Sequence, residues 1–301
     1  MGEVVSHDAF RRGVFIADKP QGPTSHQVSA WARDLAGAER AGHAGTLDPR
    51  VTGVLPIAFN EATRALDAML VGDKEYVGVL ELHQDVADEK VAAMVRRFVG
   101  PIYQMPPVRS AVKRELRVRT IHELQLLERD GRLVLFRARC ESGTYIRTLA
   151  NDIGEALGTG GHLADLRRTR TGPFPESMAH PLTDLQDAIA VWREETDDAP
   201  LRRLVLPMER LIDHLPKIVL KDTAVDAICH GADLHVPGVA SMGTGVTKGA
   251  LVALFTAKGE GVALAHALMT PSQVESARKG IAADTKRVLM EPGTYPKGWK
   301  S

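Results

Sequence analysis

The stretch Gly42-His43-Ala44-Gly45-Thr46-Leu47-Asp48-Pro49 constrains this chain more than any other. Gly42 and Gly45 permit a sharp turn and let a ligand approach the backbone closely. Pro49 fixes the chain directly after Asp48 and removes a backbone donor. The apolar run from Val51 to Phe59 predicts a buried strand behind the loop. A carboxylate held on a rigid loop beside a buried strand has the chemistry of a nucleophile or a general base. An Asp before Pro in a Gly-rich stretch also serves as an ordinary turn residue, so the rest of the chain decides between the two.

A length of 301 residues allows two domains, and a hydrophobic share of 44% supplies a core. There is no apolar run long enough to span a bilayer, and the polar segment from Met1 to Arg12 has no signal-peptide core. No membrane role is expected. Cys140 and Cys229 lie far apart and form no metal-ligand pattern, which points to a reducing cytoplasm. The net charge is zero, but it is unevenly spread. Residues 109–147 carry ten Lys or Arg against five acids, and residues 184–198 carry six acids against Arg193 alone. A local basic patch matters more to a polyanion than the total does.

Ahead of the loop, the apolar residues 14–17 predict a strand running into Asp18-Lys19-Pro20-Gln21-Gly22-Pro23-Thr24-Ser25. Thr24 and Gln27 make a capping box for a helix whose core face holds Val28, Trp31 and Leu35. Asn60 predicts the cap of a short helix that buries Ala62, Leu66, Met69 and Leu70. Alternation over 73–82 predicts a strand carrying Tyr76, and a helix over 89–98 stops at Gly100-Pro101. A basic, Pro-led segment then runs through Arg109, Lys113, Arg114, Arg117 and Arg119, suited to phosphate contacts or to a solvated face. Residues 133–140 alternate, with Arg137 and Arg139 opposite Phe136, Ala138 and Cys140. Cys140 therefore belongs to the core.

Arg147 falls where that strand hands over to a helix with Leu149, Ile153, Ala156 and Leu157 on one side. It either pairs with a surface acid or reaches Asp48, whose orientation paired hydrogen bonds would fix. A break at 158–161 precedes a segment with Arg167, Arg168 and Arg170, read as phosphate contacts. His43 and His162 lack metal-ligand spacing. Residues 185–209 read as an acidic helical connector. From Ile218 onward, short strands and glycine turns suggest a small barrel.

Taken together, these stretches resemble the TruB-type RNA pseudouridine synthases. Gly42 to Pro49, followed by Val51-Thr52-Gly53-Val54-Leu55-Pro56, resembles their catalytic loop. Asp18 to Ser25 matches the family's Asp-Lys-Pro-x-Gly-x-Thr-Ser pattern. Gly143-Thr144-Tyr145-Ile146-Arg147-Thr148-Leu149 matches its arginine motif, and Leu166 to Phe174 its Leu-Arg-Arg-x-Arg-x-Gly-Pro-Phe ending. Ser110 to Ile121 resembles the archaeal and eukaryotic, dyskerin-like branch. The C-terminal part resembles a PUA domain, an RNA-binding module.

The resemblance implies an α+β fold: a mixed, largely antiparallel sheet with flanking helices over residues 1–214, a small all-β PUA barrel over 215–292, and a tail over 293–301, mobile or in minor contact with RNA. It implies that Asp48 is the nucleophile, that Tyr76 stacks on the target base and that Arg147 holds Asp48. Lys19 would support the loop and His43 would keep the flipped base out. Lys113, Arg114, Arg168 and Arg170 would contact RNA, as would His230, Gly231, Ala232 and Asp233 of the PUA domain. The reaction turns uridine into pseudouridine with no cofactor and no metal. The implied substrates are the T-loop uridine of tRNA (position 55) and, with an H/ACA guide RNA and small Nop-type, Gar-type and kink-turn-binding proteins, uridines of rRNA. In many relatives an N-terminal extension wraps the PUA domain; about a dozen residues precede Val14 here, which puts that buttress in question. A non-catalytic RNA-binding scaffold is the alternative, and an intact Asp48, Tyr76 and Arg147 trio argues against it. A metal-dependent RNA hydrolase would need a cluster of acids or histidines that the sequence lacks.

Overall fold

Alternating and continuous apolar runs give this chain two sheets, which a computed structural model describes over residues 7–106 and 115–297. The first sheet takes its strands from β1 (Gly13–Lys19), β2 (Ala41–His43), β3 (Thr52–Phe59), β4 (Lys74–Leu82), β5 (Gly100–Gln104), β6 (Arg117–Asp130), β7 (Leu133–Cys140), β8 (Gly161–Thr171), β9 (Phe174–Pro175) and β10 (Val205–Pro207). Its order is β10-β1-β3-β8-β4-β7-β6-β5, with β2 on β3 and β9 on β8. Among its described strands, β3 and β8 pair in parallel and the other pairs are antiparallel. Helices α1 (Ser25–Ala36), α2 (Asp88–Arg97), α3 (Ile146–Ala156), α4 (Leu182–Glu195) and α5 (Ala199–Leu204) flank it.

The second sheet runs β12-β16-β15-β14-β11-β13, built from β11 (Lys217–Leu220), β12 (Leu234–His235), β13 (Val239–Met242), β14 (Leu251–Phe255), β15 (Gly261–Ala267) and β16 (Ile281–Val288). It carries α6 (Asp222–Cys229) and α7 (Pro271–Ser276), so this part is not all-β. Val225, Ile228 and Cys229 of α6 pack into its core. One apolar cluster spans both sheets, joining Val14, Ile16, Val54 and Phe174 to Ala253, Phe255, Leu264 and Leu289. Arg11 bridges Glu61 and Glu291 across the same joint. Tyr295 is buried and donates its hydroxyl to Glu260 at 2.5 Å, so the expected mobile tail is fixed through that residue.

Several local expectations hold. Thr24 and Gln27 form the capping box of α1, and β7 alternates with Phe136, Ala138 and Cys140 inside. Others give way to packing. Trp31 is 48% exposed, because α1 turns the small residues Val28, Ala32 and Ala36 inward. The segment Asn60–Leu70 is a 3-10 helix. With three residues per turn it buries Ala62, Ala65 and Ala68 and leaves Leu70 exposed. Ala156 is exposed at the end of α3. Residues 205–207 leave the helical connector to form β10, paired with β1. Lys113 and Arg114 lie outside the described residues.

Gly53 shows how tightly β3 and β8 are fitted. Its φ is +102°, and a Cβ there would sit 2.2 Å from the Arg168 carbonyl oxygen. Gly53→Ala therefore combines backbone strain with a clash against main chain. We expect it to cost about 2 kcal/mol or more, seen as a lowered midpoint in thermal or urea unfolding, whereas an unchanged midpoint would show that the strands have room to part.

Candidate active site

Asp48 sits in the loop between β2 and β3, and the loop is tied down from three sides. Ser25, buried at the start of α1, donates its hydroxyl to the Leu47 carbonyl at 2.9 Å and accepts the Leu47 N–H at 2.8 Å. Lys19, wholly buried at the end of β1, donates its ammonium to the carbonyls of Pro20, Pro49 and Val51 at 2.8, 3.2 and 2.8 Å. The Val51 N–H donates to the Asp48 carbonyl at 3.0 Å and closes the turn. Burial lowers the Lys19 pKa from its ordinary value, and the nearby Asp48 charge opposes that shift. The support expected of Lys19 has this geometry: the Pro49 and Val51 carbonyls, just after Asp48, share one cation with the Pro20 carbonyl.

Arg147 is the second residue of α3, and its guanidinium donates to the Asp48 carboxylate. Both side chains stay more than half exposed, 63% and 54%, so the pair lies open at the mouth of the site. The strand-to-helix handover after β7 brings Arg147 there, supported by the burial of Ile146 and Leu149 in one apolar cluster with Leu47, Val51 and Tyr76. Tyr76, on β4, is 9% exposed. Burial raises its pKa, and Arg168 pulls in the opposite direction.

His43 ends β2 and meets His26 edge to face, with ring centroids 4.7 Å apart. Both of its ring nitrogens are buried without a hydrogen-bond partner among the described residues. Burial, with His26 and Arg168 nearby, pushes its pKa down to about 4. The ring is therefore neutral and hydrophobic in character at physiological pH. Lys74, on the same strand face as Tyr76, donates to the carbonyls of Met69 and Gly72, each at 3.1 Å, and burial lowers its pKa to about 8. Burial also pushes the Cys140 thiol up to about 12, which suits a core residue and not a nucleophile.

The arginines of β8 separate. Arg170 is exposed, as a phosphate contact requires. Arg168 is 1% exposed and lies under the Asp48 loop, so it is not the surface contact expected of it. Arg167 points the other way and makes a bidentate pair with Asp18 at 2.9 and 3.0 Å. In the second sheet His230, Gly231 and Ala232 are exposed, while Asp233 accepts the Thr285 N–H at 3.1 Å and shapes their loop. Ser25 lies in the Asp18–Ser25 segment expected to support the loop, and its hydroxyl is where that support is made. Lys74, by contrast, reads in the sequence as an ordinary strand-edge lysine.

The His43 shift fixes a pH dependence. Its folded pKa lies below the ordinary value of 6.5, so the unfolded chain binds the proton more readily. Stability is expected to fall as pH drops from about 6.5 and to level off near 4. In His43→Asn that part of the loss should be missing when urea midpoints are compared across the window; identical profiles for the two proteins would contradict the assignment.

Comparison with known proteins places the chain in a family. Residues 33–146 match the N-terminal domain of the TruB family pseudouridylate synthases, residues 147–213 the tRNA pseudouridylate synthase B C-terminal domain, and residues 216–289 the PUA domain. The chain is 53% identical over 290 residues to a probable tRNA pseudouridine synthase B of Methanosarcina barkeri, covering 96% of this chain and 86% of that one. It is 55% identical over 288 residues to a protein of the same name from Methanopyrus kandleri, covering 96% and 85%. Among solved structures it is similar to one of a Cbf5-Nop10-Gar1 complex, with a TM-score of 0.93 at 48% identity over 96% of this chain and 88% of the other. A structure of an H/ACA RNP bound to a substrate RNA containing 2'-deoxyuridine aligns with a TM-score of 0.90 at 46% identity, over 97% and 89%. With Asp48, Tyr76 and Arg147 gathered at one site and a second sheet where the PUA domain matches, this chain belongs to the TruB family of pseudouridylate synthases.

Proposed function

We propose that this protein isomerises uridine to pseudouridine with Asp48 as nucleophile, Tyr76 against the base and Arg147 holding the carboxylate. In the overall reaction the N1–C1' bond breaks and a C5–C1' bond forms. The C5 proton leaves and N1 gains one, so substrate and product contain the same atoms. The target uridine must leave its stack to reach a loop carboxylate, and a base so exposed stacks on an aromatic ring. The pairing of Arg147 with Asp48, above a cluster that buries Tyr76, carries this reading. A scaffold that only held RNA would have no use for a carboxylate kept in place by three carbonyl-binding contacts and a guanidinium.

The substrates follow from the relatives. Proteins similar to this one are named for tRNA, and solved structures similar to it contain Nop10, Gar1 and a substrate RNA. For this chain we propose the T-loop uridine of tRNA and, with a guide RNA and small H/ACA proteins of the Nop, Gar and kink-turn-binding types, uridines of rRNA. Residues 1–214 would carry the chemistry. Residues 215–292 would bind RNA through the loop of His230 to Asp233, with Arg170 as a contact nearer the chemistry. Among the described residues no helix is long and apolar enough to cross a membrane; we place the work in the cytoplasm.

Tritium release from C5-labelled uridine tests the reading. The wild-type protein is expected to release tritium from tRNA alone, or from a guide-matched RNA once guide and partner proteins are added. Asp48→Asn should release none while its RNA affinity stays within about twofold, since the side chain keeps its size and loses only the nucleophile. Tight RNA binding by the wild type with no release from either RNA would favour the scaffold.

A further inference from the structure

We propose that Arg168 is a positioning residue of this reaction, acting through the Tyr76 hydroxyl and the Asp48 loop; the proposal rests on the reading of the site given above. A fully buried arginine is expensive, because its charge has left water. Among the described residues no carboxylate forms an ion pair with it. Phosphate binding does not explain it either, because its 1% exposure leaves no face for RNA. Burial lowers its pKa, and the attachments of the guanidinium inside the protein must offset that cost.

Those attachments hold the guanidinium against β3 and under the Asp48 loop. Nε and Nη2 both donate to the Val54 carbonyl of β3, at 2.9 and 2.8 Å. Nη1 lies beneath Gly45, 3.1 Å from where a Cβ would stand, so the loop rests directly on the guanidinium. Tyr76 is the cross-strand neighbour of Arg168 in the β4–β8 register, and both side chains are buried there. A guanidinium has donors and no acceptor. In the arrangement we propose, the Tyr76 oxygen accepts from the guanidinium and its own proton is left for another partner. One rigid plane would then seat the Asp48 loop and set the direction of the Tyr76 O–H.

The floor is cationic as well. Lys19, Lys74 and Arg168 are all buried within the first sheet, whereas the one buried carboxylate among the described residues, Asp226, lies in α6 of the second. Arg168 also pulls the Tyr76 pKa down against the effect of burial. A lysine at this position keeps the charge but cannot serve Val54 and Tyr76 from one planar fork.

The test uses the full-length chain with the RNA on which the wild type releases tritium. Single-turnover rates and RNA affinities are measured for wild type, Arg168→Lys, Tyr76→Phe and the double variant. Arg168→Lys is expected to lose roughly 100-fold in rate, the scale on which a misplaced catalytic group is felt, with affinity within about twofold. In the Tyr76→Phe background the same change should cost clearly less than 100-fold, because one of its two routes is already cut. A loss of affinity at unchanged rate would make Arg168 an RNA contact and overturn the proposal. So would a loss in the double variant equal to the product of the two single losses. Should Arg168→Lys fail to fold, arginine-labelled wild type and Tyr76→Phe are compared by NMR: Nη protons slow to exchange should shift when the hydroxyl is removed, and unmoved resonances would overturn the link. Absence of release by the wild type itself would sink the pseudouridylation reading instead, which these NMR spectra do not depend on.

Discussion

The site depends on one buried ammonium. Lys19 is wholly buried and spends its three protons on carbonyls from Pro20, Pro49 and Val51. Hydrogen bonds from a charged donor contribute about 1.5–3 kcal/mol each, enough to offset a desolvation cost of several kcal/mol. Their effect is geometric as much as energetic. Because the Pro49 and Val51 carbonyls, both just after Asp48, converge with that of Pro20 on one atom, the turn at Pro49 cannot open without stranding a charge. Ser25 performs the same service on the other side, at Leu47, with a neutral hydroxyl that both donates and accepts.

This arrangement separates two requirements that conflict in a small loop. A nucleophilic carboxylate has to be exposed to meet its substrate, yet its position must vary by no more than a fraction of an ångström. Here the backbone is fixed from below by buried groups, and the side chain is aimed from outside by Arg147, which remains as exposed as Asp48 itself. The apolar cluster beneath, with Leu47, Val51, Tyr76, Ile146 and Leu149, binds the loop, β4 and the helix of Arg147 into one unit. A second cluster joins Val14, Ile16 and Val54 of the first sheet to Ala253, Phe255 and Leu264 of the second.

Much of this was legible in the order of the residues. Glycines and a proline around Asp48, the capping box of α1, the alternation of β7 and the strand-to-helix step at Arg147 are local signals, and local geometry obeys them. The departures arise where distant partners choose. Alternation in β8 says that Arg167 and Arg168 face opposite ways, but only pairing with β3 and β4 decides which is inside. β10 exists because β1, far away in sequence, offers it an edge. Trp31 was expected inside on helical spacing, yet the neighbours of α1 leave room for Ala32 and Ala36, and the larger ring stays out. A 3-10 period in place of an α period moved Leu70 to the surface.

On this geometry a guanidinium aims a carboxylate that is otherwise free at the mouth of the site. This aiming is tested most directly by the single-turnover rate of Arg147→Met, measured beside its RNA affinity and its unfolding midpoint. Because Arg147 is exposed and contributes little to the core, affinity and midpoint should stay near wild type. The rate should fall by roughly two to three orders of magnitude, as for loss of a group that acts on the reacting atoms alone. A variant that releases tritium at the wild-type rate would show that Asp48 finds its direction without Arg147, and the account of the site would be wrong.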